Sequence, residues 1–193
     1  GNNLPELILS GEWMSIKVLK MVNGKFIDFT TESGLLNTTG WWFSLEKADL
    51  DNDGDIDLIA GNLGLNYKYK TTPEEPFDVH YYDFDGNSSK DIVLGYYNDG
   101  THYPLRERSC SSQQVPVIKK KFETYNLFAA AELEEVYEED KLKNALHYEA
   151  KTFGSTIFEN SGYGQFRQIA LPNEAQISTI NDIEMLIQQL RMM

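Results

Sequence analysis

The stretch DLDNDGDIDLIAGNLG, residues 49–64, places five aspartates in nine positions and then turns abruptly apolar. Asp49, Asp51, Asp53, Asp55 and Asp57 alternate with other residues, and Gly54 interrupts them. Carboxylates this close repel one another, and a solvated acidic run needs neither alternation nor a glycine. A hard cation accounts for both. Calcium takes about 6–8 oxygens at roughly 2.3–2.6 Å, and a loop wound around it turns positions 1, 3 and 5 inward. Asp49, Asp51 and Asp53 hold those positions. Gly54 suits the sharp turn at position 6, the Asp55 carbonyl serves position 7, and Asp57 closes the shell at position 9. Position 12, where an EF-hand carries a glutamate before a helix, is Ala60 here, and the surrounding DLIAG reads as a strand. The expectation is a calcium loop leading into a β-strand.

A second copy lies in YDFDGNSSKDIVLGYYN, residues 82–98. Asp83, Asp85, Asn87 and Asp91 hold positions 1, 3, 5 and 9, and the Ser89 carbonyl holds position 7. The glycine comes early, as Gly86, and Ser88 stands where the first loop has Gly54. Fewer side-chain carboxylates predict weaker calcium binding here. Magnesium suits neither loop, since it prefers a smaller, partly hydrated octahedral site.

Outside the loops, three segments carry hairpin signals. KVLKMVNGKFIDF (17–29) and GYYNDGTHY (95–103) place Asn-Gly and Asp-Gly between alternating apolar runs, and TIFENSGYGQFRQI (156–169) has a longer glycine-containing turn. From Pro116 to about Tyr148 the composition shifts to helix formers, with Leu127, Ala130, Ala131, Leu133, Val136 and Tyr137 as an apolar stripe. The expected organisation is one segment, 1–193: β repeats with both loops over 1–114, a helical insertion over 115–148, and a hairpin plus the lead-in to a further repeat over 149–193.

Composition narrows the function classes. The chain of 193 residues is 41% apolar with a net charge of −13. That charge argues against nucleic acid, which demands a basic footprint. No apolar run is long enough to span a membrane. The single cysteine, Cys110, rules out an internal disulfide framework and is expected to be a partly buried, inert thiol.

The pattern D-x-D-x-D-G-D-x-D-L-I-A-G-N, its degraded copy, and the N-G-x-F hairpins between resemble the FG-GAP/VCBS repeats of integrin-α-like β-propellers, most of all the bacterial exported type. GEWMSIKV, NGKF, GWWFSLEKADLDNDGDIDLIAGNLGLN and LPNEAQIS all resemble that repeat framework. The resemblance implies a mainly β fold, a partial propeller-like arrangement of repeats with a helical insertion. It also implies structural calcium at Asp49, Asp51, Asp53, Asp55 and Asp57, and a second ion at Asp83, Asp85, Asn87, Ser89 and Asp91. A complete propeller closes about 4–8 four-stranded blades, so the chain is expected to be a piece of a longer protein whose open sheet edges are either capped by the helices or paired with another copy. Its implied setting is extracytoplasmic: periplasmic, cell-surface or secreted.

The function expected is a calcium-stabilised recognition or scaffold module, non-catalytic by itself, with a protein or carbohydrate ligand. The alternative is a domain of a calcium-dependent polysaccharide-active enzyme, a lyase or hydrolase. His80, His102 and His147 are scattered and share no motif, and SCSSQQ around Cys110 offers no nucleophile context. Of the adjacent Trp41 and Trp42, one is expected in the core and the other outward or against a neighbouring blade, where it could stack on a sugar. Arg106 and Arg108 read as surface salt-bridge formers.

Overall fold

The computed structural model describes residues 6–186. Seven strands come first: β1 (Glu6–Leu9), β2 (Glu12–Met14), β3 (Lys17–Val22), β4 (Lys25–Asp28), β5 (Gly40–Trp41), β6 (Ser44–Ala48) and β7 (Asp57–Gly61). Then follow β8 (Phe77–Tyr82), β9 (Asp91–Asn98) and β10 (Thr101–Pro104). Five short helices come next: α1 (Arg108–Gln114), α2 (Val117–Lys121), α3 (Tyr125–Ala129), α4 (Leu133–Tyr137) and α5 (Glu139–Asn144). The chain returns to strand in β11 (Leu146–Ala150), β12 (Thr156–Asn160) and β13 (Phe166–Ala170), and a 3-10 turn occupies Asn173–Gln176.

These elements form two compact units. One joins the chain up to Tyr67 with the chain from Phe153 onward, and the other is Lys68–Thr152. The single segment expected from the sequence is therefore two units, with one acidic loop in each. The outermost residues of that expected segment, 1–5 and 187–193, lie outside the described residues.

In the first unit β6, β7, β12 and β13 make a four-stranded antiparallel meander, the strand count of one propeller blade. A three-stranded sheet, β1-β3-β4, and a two-stranded one, β2-β5, complete it. The DLIAG run of β7 is buried along its whole length, as a central strand covered on both faces must be. Ile16, Val18, Leu35, Trp42, Leu58 and Phe158 form its core. Trp42 meets Phe158 edge-on at 5.7 Å and donates its indole N–H to Thr38 O at 2.9 Å. Trp41 points the other way, half-buried against Trp13 at 5.0 Å and Phe153 at 5.5 Å. The adjacent tryptophans thus divide between the two faces, and the outer one is already engaged by rings of its own unit.

Beyond β7, Asn62 is fully buried and its side-chain oxygen accepts from Leu63 N (2.8 Å) and Trp41 N (3.2 Å). Gln176, in the stretch expected to lead into a further repeat, clamps the backbone of Ser155: it accepts from Ser155 N and donates to Ser155 O, both at 2.8 Å. The segment AQISTINDIEM therefore docks on its own unit through a buried amide, and carries no strand between Ile177 and the last described residue.

The second unit has its own four-stranded antiparallel sheet, in the order β10-β9-β8-β11. Its helices pack on that sheet through Phe84, Val93, Ile118, Phe128, Leu133 and Tyr137. The helical region begins at Arg108, not 115, and ends at Asn144, because LHYEA pairs with β8 as the edge strand β11. It is also broken into five short helices: Glu138, at φ 67°, separates α4 from α5. Leu127 leaves the expected apolar stripe and is 56% exposed, its place in the core taken by Phe128. Arg108 is not a surface ion-pair former either. Buried at the start of α1, it donates to the carbonyls of Phe122, Lys119 and Glu123, satisfying groups that the short helices leave open. Arg106, on the surface, donates to Gln114 Oε1 at 3.2 Å.

All three expected hairpins form. Asn23-Gly24 and Asp99-Gly100 lie at positive φ between β3 and β4 and between β9 and β10, as type I′ turns require. The third joins β12 to β13. Both cores make a prediction. Phe158→Ala should cost roughly 3–5 kcal/mol by denaturant unfolding of the first unit, whereas Leu127→Ala should stay within about 0.5 kcal/mol of the parent. A large loss at Leu127 would contradict its exposed position.

Candidate metal centres

Each acidic loop connects two neighbouring antiparallel strands. The first runs from β6 to β7 and closes at the pair Ala48↔Asp57, and the second runs from β8 to β9 and closes at Tyr82↔Asp91. Within that frame four internal hydrogen bonds of one loop have counterparts in the other. The last aspartate accepts from the N–H at position 2: Leu50 N to Asp57 Oδ2 at 2.8 Å, and Phe84 N to Asp91 Oδ2 at 3.0 Å. The first aspartate accepts from position 6: Gly54 N to Asp49 Oδ2 at 3.1 Å, and Ser88 N to Asp83 Oδ2 at 2.8 Å. Position 5 donates to position 3, Asp53 N to Asp51 and Asn87 N to Asp85, each at 3.1 Å. Position 7 donates to position 5, Asp55 N to Asp53 at 2.8 Å and Ser89 N to Asn87 at 2.6 Å.

The backbone follows the same path in both loops. Positions 4 and 6 are left-handed in each, Asn52 (φ 62°) and Gly54 (93°) against Gly86 (78°) and Ser88 (68°). The displaced glycine of the second loop is thereby explained. Both loops need two left-handed residues, and each spends its one glycine on a different one.

These turns gather carboxylates. One oxygen each from Asp49, Asp51 and Asp57 lies within 4.8 Å of the others, and the same holds for Asp83, Asp85 and Asp91. Asp53 stands outside the first trio, holding Asp55 N, and Asp55 is the residue whose carbonyl was expected to serve. In the second loop Asn87 also donates its amide to Asp85 Oδ2 at 3.1 Å. The closing aspartates are buried, and the rest lie at or near the surface.

The electrostatics differ from one aspartate to the next. At Asp51 the hydrogen bond from Asp53 N favours the charged form, but desolvation and the charges of Asp53, Asp57 and Glu159 outweigh it, and its pKa is raised. At Asp83 desolvation acts upward, yet the N–H groups of Ser88, Gly86 and Asn87, together with Lys90, win and lower it. Burial raises Asp91, with Asp85 and Asp83 adding to the effect. Neighbouring carboxylates thus work against the charged form of Asp51 in the first loop and of Asp91 in the second, while N–H groups and Lys90 favour that of Asp83. All-oxygen donor sets of this kind suit hard cations, and both clusters could hold a metal ion.

Residues 1–60 match the family model of the FG-GAP-like repeat. The match spans the whole first loop and ends inside β7, so the second loop lies beyond it. No curated protein and no solved structure matches the chain. The FG-GAP-like framework expected from the motif is therefore supported over the first unit's leading half, and the hydrogen-bond correspondence relates the second loop to it. Among the described residues no helix is long and apolar enough to cross a membrane.

Two sequence expectations change. Cys110 is exposed on α1, not partly buried. The three histidines, which share no sequence motif, converge in the second unit on one buried carboxylate, Asp78. The one signal available beforehand was the D-x-H spacing of Asp78 and His80, which puts both on one face of a strand.

The shared backbone predicts opposite outcomes for two substitutions at position 6. Gly54→Ser should destabilise by about 1–2 kcal/mol, whereas Ser88→Gly should hold or raise stability. Chemical denaturation of the two variants checks it, and a destabilised Ser88→Gly would refute the strain assignment.

Proposed function

We propose that the chain is a calcium-stabilised binding or scaffold module of the FG-GAP/VCBS type, working outside the cytoplasm and without catalysis of its own. The FG-GAP-like match supports a β-propeller-like module of this general kind. The observation that carries the calcium reading is the pair of loops with one hydrogen-bond pattern and two different sequences. What they retain in common is a side-chain carboxylate or amide oxygen at positions 1, 3, 5 and 9, with positions 1, 3 and 9 gathered together. Oxygen donors of this kind are what a calcium ion takes.

In this reading Asp49, Asp51, Asp53 and Asp57 bind one ion with the Asp55 carbonyl. Asp83, Asp85, Asn87 and Asp91 bind a second with the Ser89 carbonyl. Two such ions would move the net charge from −13 to −9. Each would lock a loop onto the strand pair that carries it, and so stiffen the end of its sheet. A ligand, protein or glycan, would then meet loops held in fixed positions, and self-association could use the sheet edges.

A thermal melt in excess calcium against chelator tests this. At a hundredfold excess over the dissociation constant, one site adds about 2.7 kcal/mol, a shift of roughly 5–10 °C for a chain of this size. An unchanged melt would sink the proposal. Calcium titration of single-loop variants should then show the remaining first loop, in Asp83→Ala, binding more tightly than the remaining second loop in Asp49→Ala. Equal affinities would refute the ranking.

A further inference from the structure

The second unit holds a charged centre of quite different chemistry from the acidic loops. His147 on β11 is the register partner of His80 on β8, and their rings stack at 4.2 Å with planes 7° apart. Asp78 lies two residues before His80, on the same face of β8. Its Oδ2 is 3.1 Å from His80 Nε2 and 3.1 Å from His147 Nε2. Its Oδ1 is 3.1 Å from Nε2 of His102, which reaches over from β10. The path is open because Gly95 on β9 stands opposite Asp78, where a Cβ would overlap both Asp78 Oδ1 and His102 Nε2. His102 in turn places Nδ1 3.0 Å from Glu134 Oε1 of α4. Asp78 is 3% exposed, His80 6% and His102 9%.

We propose that Asp78, His80 and His147 form a binding site for a divalent transition metal of the zinc class, with His102 as the residue that orients Asp78. Three features carry this. First, the donor set mixes two imidazoles with one carboxylate, the combination that zinc and its neighbours prefer and calcium does not. Second, the spacing is near: a tetrahedral ion about 2.0–2.1 Å from each ligand sets those ligands about 3.3 Å apart, against 3.1 Å from Asp78 Oδ2 to each Nε2, while the two rings, stacked at 4.2 Å, must tilt together. The three ligand atoms lie within 4.8 Å of one another. Third, the supporting shell is built. His102 holds the carboxylate oxygen that the ion does not need, and Glu134 holds His102, the outer-sphere arrangement by which metal sites orient their ligands.

Loading asks for one local change. The two stacked imidazoles turn so that both Nε2 lone pairs meet at one point, and each moves its proton to Nδ1. His80 Nδ1 is buried with no hydrogen-bond partner among the described residues, so no second hydrogen bond fixes that ring. His147 is the ligand nearest solvent, its side chain 36% exposed, and it marks the side from which an ion would enter. The strands that supply the ligands are neighbours in one sheet, which gives the site a rigid base.

The test uses the full chain, stripped with chelator and then held in saturating calcium so that the acidic loops are occupied. Zinc titration should show one saturable site per chain. X-ray absorption at the zinc edge of the unaltered protein should show two imidazole nitrogens plus oxygen. His147→Gln, at a half-exposed position, should weaken zinc binding at least tenfold, and His102→Gln by about 10–100-fold with the same two imidazoles still bound. Absence of saturable binding would overturn the proposal. So would an all-oxygen shell, which places zinc in the acidic loops, or displacement of zinc by calcium. Unchanged affinity in the His80→Ala/His147→Gln double variant would also overturn it.

Discussion

The structure turns on one hydrogen bond made twice: the first aspartate of a strand reaches back and accepts the N–H of the second residue in the loop before it. Asp57 does this for Leu50, and Asp91 for Phe84. In each case the acceptor is buried at the point where the loop enters the sheet, so the bond ties loop conformation to strand register. Asp57 goes further and accepts Asn160 N from β12 with its other oxygen, at 2.8 Å, joining the loop to a strand over a hundred residues away. With that anchor set, the other carboxylates have little freedom. The N–H groups at positions 5, 6 and 7 hold them turned toward the loop interior, against their mutual repulsion. A cation would complete an arrangement the backbone has already begun.

The two units solve the same local problem on different frames. In the first, the loop-bearing pair β6-β7 is extended by β12 and β13, which return from the far end of the chain. In the second, β8-β9 is extended by the hairpin partner β10 on one side and by β11 on the other, after five short helices. Both sheets end with four antiparallel strands, the size of a propeller blade. The difference lies in what covers them. The first unit packs on aromatic and branched residues from its own strands and the loops between them, and the second on short helices whose open carbonyls Arg108 satisfies. That role for Arg108 depends on Lys119, Phe122 and Glu123 turning back toward it, a matter of tertiary position that an isolated YPLRERSC does not disclose.

Histidine placement follows from strand pairing in the same way. His80 and His147 are 67 positions apart in the chain, yet they are direct partners across β8 and β11. His102 joins them only because Gly95 leaves its place on the sheet empty. The helical composition up to about Tyr148 concealed this, since LHYEA reads as the end of a helix until β8 supplies an edge for it to pair with. Edge pairing overrode local preference, as it often does for short segments.

The sequence by itself determined whatever depends on near neighbours. The acidic loops, their strands, the three hairpins and the division of Trp41 from Trp42 all follow from spacings of two to nine residues, within which backbone geometry leaves few choices. It also showed that the second loop carries Asn87 in place of a carboxylate. Only the tertiary structure decided the split into two units, the clamp at Arg108, the burial of Gln176 and the meeting of three histidines on Asp78. The Arg108 clamp spans 11 to 15 positions, Gln176 reaches 21 positions back to Ser155, and His102 and His147 meet Asp78 across 24 and 69, separations at which chain connectivity constrains nothing until register and packing bring the residues together.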